Sequence, residues 1–175
     1  MNNRTRPEET EFAKWYAAYV ALAKGNDFVA ALRHADERFH HVLSNLTQQQ
    51  AEKAYAPGKW TVLDLMQHLI DSEWVFTYRA LRFARYDTTD LPGYDHDNYV
   101  LKAGANSRSL EELTADMKLL RLNTIALFES FSDAALLNQG TANVNLVSVR
   151  ALAWITAGHQ LHHLSIIEER YLPVI

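Results

Sequence analysis

The chain has 175 residues, 48% hydrophobic and 22% charged, with 17 basic against 21 acidic side chains and a net charge of −4. That is the size and balance of one water-soluble globular domain able to bury its own core. No apolar run approaches a membrane span of ~18 residues, and the pI of about 6.0, with basic residues scattered apart from Arg79, Arg82 and Arg85, argues against nucleic acid as a partner. Cysteine is absent, so thiolate metal sites, iron–sulfur clusters, disulfides and a protein-borne thiol nucleophile are excluded, and any metal must be held by His, Asp or Glu.

The opening residues are polar and lack the apolar stretch of a secretory signal, so the expected location is the cytoplasm. With only 6 Gly and 4 Pro and few alternating β-branched runs, long helices are the natural reading. A first helix is expected from about Pro7 to Lys24, with Gly25 at its end. A second begins at the N-cap Asp27 and runs to about Asn45, because Phe28, Ala31, Leu32, Ala35, Phe39, Val42, Leu43 and Leu46 form one apolar stripe at three- and four-residue spacing. After a break at 55–59, Thr61 and Asp64 form a variant capping box, and Trp60 with Leu65 a hydrophobic staple, for a third helix to about Arg85.

A loop of about 20 residues follows, and loops of that length in compact domains are often functional. Ser109 and Glu112 cap a fourth helix to about Phe131. Residues 139–145 read as a turn-rich connection, and Ser148 caps a last helix that Pro173 stops after Leu172. The expected fold is all-α, a four-helix bundle over about 27–172 with an additional N-terminal helix lying across it or making an oligomer contact, all within a single domain.

Eight histidines are many for this length. His159 and His163 stand at i and i+4, one turn apart on one helix face, alongside Leu152, Thr156 and Ile166. Two imidazoles so placed can share one metal ion, and buried without a partner they would be costly. His68, flanked by Leu65, Leu69 and Phe76, can complete a three-histidine set. Such a pair also arises by chance or as packed core residues, so spacing alone leaves both readings open. His162 points about 100° away from His163; His34, His40, His41 and His96 read as surface or helix-edge residues. Position 160 is Gln, so the general base of a His-Glu-x-x-His protease is missing.

The segment from Ala56-Pro57-Gly58-Lys59-Trp60-Thr61 through His68-Leu69, the run Tyr78 to Arg85, and the closing Gly158-His159-Gln160-Leu161-His162-His163 resemble the DinB-like family over roughly Asp27 to Leu172. The resemblance implies a metal-binding four-helix bundle, frequently dimeric, whose divalent metal, usually zinc or nickel, is held by three histidines at the positions of His68, His159 and His163. Relatives include metal-dependent transferases and isomerases that use low-molecular-weight thiols such as bacillithiol or mycothiol as co-substrates.

Two functions follow as expectations. In the first, three neutral imidazoles leave an open coordination position, and the protein is a metal-dependent enzyme acting on a small molecule, either a thiol-dependent S-transferase or a hydrolase. Asp71 and Tyr78, further along the third helix, are then expected near the metal or substrate. In the second, the metal merely ties two helices together in a non-catalytic, homodimeric interaction module. Glu168 and Glu169 do not continue the His159/His163 face, so an open site is favoured. The Arg79, Arg82 and Arg85 series reads either as a solvated face paired with acids or as an anion contact.

Overall fold

A computed structural model describes residues 3–175. In chain order its elements are α1 (Ala17–Leu22), α2 (Phe28–Leu43), α3 (Gln48–Ala51), α4 (Val62–Ala84), α5 (His96–Ala103), α6 (Leu110–Glu129), α7 (Asp133–Leu136), the strands β1 (Gln139–Ala142) and β2 (Asn145–Ser148), and α8 (Val149–Ile166). The long helices α2, α4, α6 and α8 start where their side chains specify. Asp27 and Ser148 accept from the amides of Ala30 and Ala151, while Thr61 with Asp64 and Ser109 with Glu112 form reciprocal capping boxes. Each such cap contributes about 1 kcal/mol.

The four pack in a closed ring, α2 on α8, α8 on α4, α4 on α6 and α6 on α2. The apolar stripe of α2 is buried from Phe28 to Leu43 as its periodicity requires. Inside the ring the buried apolar residues fall into two clusters, one around Phe28, Phe83, Phe128 and Trp154 and the other around Phe39, Leu63, Met66 and Leu113. The residues that separate these clusters along the helices are polar: Ser72 and Glu73 on α4, Arg121 and Thr124 on α6, His159 and Gln160 on α8, all buried. Arg121 grips Glu73 through two hydrogen bonds of 2.9 and 2.7 Å and donates a third, of 2.8 Å, to the Leu32 carbonyl. Breaking such a pair on one side strands a buried charge and costs about 3–5 kcal/mol. A polar layer therefore crosses the middle of the bundle, and the candidate site opens from one edge of it.

Three expectations are corrected. The N-terminal helix is not continuous from Pro7 to Lys24: two short 3-10 turns, Glu9–Glu11 and Lys14–Tyr16, lead into the six residues of α1. The buried Glu11 carboxylate is held by Arg150 and, at 2.7 Å, by Ser148, and this tether to the start of α8 fixes a turn where helix propensity alone would run on. The connection after α4 is not structureless, because Asp95 caps α5 and Gly104, at φ 67°, ends it in the left-handed conformation. Only Val100 of that helix is buried, so it carries no apolar period to read. Residues 139–148 form an antiparallel hairpin whose turn, Asn143-Val144, has φ of 50° and 59°, an arrangement usually signalled by Asn-Gly.

The loop before α5 joins that hairpin. The Leu91 amide donates to the Thr141 carbonyl and the Asn143 amide to the Leu91 carbonyl, both at 2.9 Å. On the other side of the cavity described below, α1 lies on α8 with backbones so close that a Cβ on Gly158 would stand 1.8 Å from the Tyr19 carbonyl oxygen. Gly158→Ala is therefore expected to lower the unfolding free energy by about 1–3 kcal/mol, measured by urea denaturation; unchanged stability would mean that α1 does not dock at this distance.

Candidate metal centre

The adjacent helices α4 and α8 carry His68 and the pair His159/His163, and the ring brings all three together. The Nε2 atoms of His68 and His163 lie 3.2 and 3.1 Å from that of His159, and one ring nitrogen from each residue falls within 4.8 Å of the others. His68 and His159 are 6% and 7% exposed. Aromatic rings hold the cluster in place: Trp60 packs 5.0 Å from His68, Tyr19 5.3 Å and Phe76 5.7 Å from His159. Trp60 is itself fixed from the C-terminus, where a π-turn at Ile167–Tyr171 places the Tyr171 hydroxyl to donate to the Trp60 carbonyl at 2.8 Å.

This arrangement does not satisfy itself. A neutral imidazole has one N–H and one lone pair, so His159 Nε2 can make a good hydrogen bond to only one of the two nitrogens facing it. His163 Nδ1 is buried with no hydrogen-bond partner among the described residues. A proton is no remedy, because burial and the neighbouring rings oppose charge on all three. Burial, with His96 adding to it, brings His68 down to about 4. Burial and His68 bring His163 down to about 3. Burial, then His163 and His68, hold His159 well below the ordinary imidazole value. What fits is a cation taking three lone pairs at once: metal–nitrogen bonds of about 2.0–2.1 Å in a tetrahedral shell require nitrogens roughly 3.3 Å apart, near the two spacings found from His159 to His68 and His163.

The cluster forms the inner wall of a cavity of about 320 Å3. Trp15, Tyr16 and Tyr19 wall it from the N-terminal segment, Ser72, Phe76 and Arg79 from α4, and Gly93, Tyr94, His96 and Asn143 from the loop and hairpin. Asp71 and Tyr78 are placed elsewhere. Asp71 lies in a separate groove, accepts from Gln67 at 2.9 Å, and has its carboxyl pushed up by burial; Tyr78 is 52% exposed and pairs with Arg82. At about 100° per residue, positions 72, 76 and 79 follow His68 along the cavity stripe, whereas 71 and 78 fall to its side. His162 packs on Tyr19 at 5.2 Å, outside the cluster. His96, read from sequence as a surface residue, reaches the cavity 5.6 Å from His68, and its position in an aperiodic connection gave no signal for it. His40 pairs with Asp36 at 3.2 Å on α2, away from the cavity.

Comparison with known proteins gives a consistent picture. Residues 31–167 match the family model described as the DinB superfamily. The protein named "Putative metal-dependent hydrolase OB0413" from Oceanobacillus iheyensis is 24% identical over 151 residues, covering 83% of this chain and 84% of the relative. Among solved structures, YfiT from Bacillus subtilis, described as a probable metal-dependent hydrolase with an unusual four-helix bundle topology, superposes with a TM-score of 0.71 at 16% identity, over 99% of this chain and 98% of that one. That likeness establishes the shared fold.

The buried rings also set a pH dependence. Their folded-state affinities for protons lie below the ordinary imidazole value of 6.5, so between the two the unfolded chain binds more protons and stability falls as pH falls. In metal-free protein their contribution is expected to be complete above pH 6.5 and to fall off as pH drops below it, the His163 part being lost by about pH 3. Thermal melts across that range should show a decline that a triple His68→Ala/His159→Ala/His163→Ala variant largely lacks; equal slopes in both would contradict the burial of the rings.

Proposed function

The chain belongs to the DinB superfamily, and from that premise we propose that it is a metal-dependent hydrolase of a small molecule, with one divalent ion, zinc or nickel, held by His68, His159 and His163. Three neutral imidazoles and no thiolate form a donor set suited to those metals. The observation that carries the reading is the openness of the cluster. Among the described residues no Asp or Glu joins the three histidines; Glu168 pairs with Arg38 at 2.8 Å, and Glu169 is exposed. The side of the cluster away from the helices faces the cavity. A site that merely clamped two helices would be closed by a fourth protein ligand.

When bound, such an ion supplies Lewis acidity, polarising a substrate oxygen and acidifying a coordinated water or external thiol. The chain's own residues do the rest. Tyr16, Tyr19, Trp60 and Phe76 limit bulk water and offer flat surfaces to an apolar part of a substrate. The Tyr94 hydroxyl and Ser72 Oγ, 3.0 Å apart, can exchange hydrogen bonds with a polar part. Burial raises the Tyr16 hydroxyl to about 12, so at neutral pH it is a hydrogen-bond donor. His96, with its side chain 55% exposed and its ring 5.6 Å from that of His68, offers a further polar contact at the cavity mouth.

Elemental analysis by mass spectrometry of tag-free protein is expected to give about one zinc or nickel per chain, with loss in each of His68→Ala, His159→Ala and His163→Ala. Hydrolysis of small ester, amide or phosphate substrates should depend on that metal and proceed without added thiol. A rate that requires a low-molecular-weight thiol would replace hydrolysis by S-transfer, and a native chain that takes up no metal even when zinc and nickel are supplied would end both.

A further inference from the structure

The cavity contains one permanently charged side chain, and nothing in the metal-site reading uses it. Arg79 is 5% exposed, yet among the described residues its one side-chain hydrogen bond runs from a guanidinium NH2 group to the Pro92 carbonyl, at 3.0 Å. It takes part in no ion pair among the described residues. The other two arginines of its series are accounted for: Arg82 pairs with Asp87, and Arg85 stacks over Phe131 at 5.6 Å. The remaining buried arginines, Arg121 and Arg150, each hold a glutamate. Arg79 alone faces a cavity whose lining includes no Asp or Glu. A guanidinium presents five donors in a fork that matches carboxylate and phosphate, and a buried charge without a counterion is costly.

We propose that Arg79 is an anion-binding subsite of the histidine cavity, so that the molecule bound there carries a carboxylate or phosphate at its end remote from the histidines. Arg79 follows His68 by three turns of α4, a rise of about 16 Å between their backbones, and its side chain leans back toward the helix N-terminus and the cavity. The Ser72–Tyr94 hydroxyl pair and the Phe76 ring lie between the two. A ligand that engages both ends is therefore an elongated organic anion whose reactive group reaches the histidines while its charged group is fixed at Arg79. Which end reacts rests on the hydrolase reading; the preference of Arg79 for an oxyanion does not.

The test titrates the full chain, as purified, with inorganic phosphate and separately with succinate at constant ionic strength, following the fluorescence of Trp15 and Trp60 in the cavity wall. A saturable response is expected to both, tighter for whichever oxyanion the site favours. It should be lost in Arg79→Gln, weakened at least about tenfold in Arg79→Lys, which cannot offer the fork, and kept in Arg82→Gln, whose side chain pairs with Asp87 outside the cavity lining. Silence of the native chain toward both anions overturns the proposal. So does a response equal in native and Arg79→Gln protein, or one abolished instead by stripping metal with a chelator. Should Arg79→Gln lack a cooperative melt, Arg79→Lys decides: a weakened response supports the subsite and an unchanged one removes it. Metal analysis of the same samples separates the readings, since an anion response without metal uptake ends the hydrolase reading and leaves Arg79 standing.

Discussion

Three imidazoles meet in the interior of this bundle, the Nε2 atoms of His68 and His163 lying 3.2 and 3.1 Å from that of His159, and burial keeps each of them uncharged. Neither hydrogen bonds nor protons resolve that convergence, since one lone pair cannot serve two donors and each added positive charge meets two nearby rings in a poorly solvated site. The surrounding structure holds the rings there regardless, because α4 and α8 are adjacent in the ring of helices and each is pinned by apolar packing above and below the site. Strain of this kind, maintained by the fold and relieved by a cation, distinguishes a ligand set from histidines that happen to pack.

The polar layer gives the site its depth. Glu73 and Arg121 spend their charges on each other and on the Leu32 carbonyl, so the centre of the bundle carries ionic groups without leaving any to compete for the cavity. Such a pair adds little net stability relative to an apolar replacement; it ties α6 to α4, the helix that carries His68 and Arg79.

The cavity is not a property of the four long helices alone. Its near wall is the N-terminal segment, seated by Glu11 on Arg150 and by the close approach of Tyr19 to Gly158. Its far wall is the loop carrying Gly93 and Tyr94, bridged to the β1–β2 hairpin through Leu91. The N-terminal segment, the loop and the hairpin thus shape the space around a histidine cluster that the long helices position.

The sequence by itself determined the long helices and their starts, because capping residues and a three- to four-residue apolar period act within a few turns of chain. It also placed His159 and His163 on one face, since helical geometry alone fixes an i, i+4 pair. Helical spacing also sets Asp71 and Tyr78 to the side of His68. Only the tertiary structure decided that His68 stands opposite that pair and that His96 belongs to the cavity. Each of those facts depends on which side of α4 meets α8 or on how an aperiodic connection folds back. The same holds for Arg79: three arginines at three-residue spacing are alike in sequence, and they separate into a surface pair, a stacked ring contact and a buried, unneutralised charge only when neighbouring elements supply an aspartate to one, a phenylalanine to another and a cavity without carboxylates to the third.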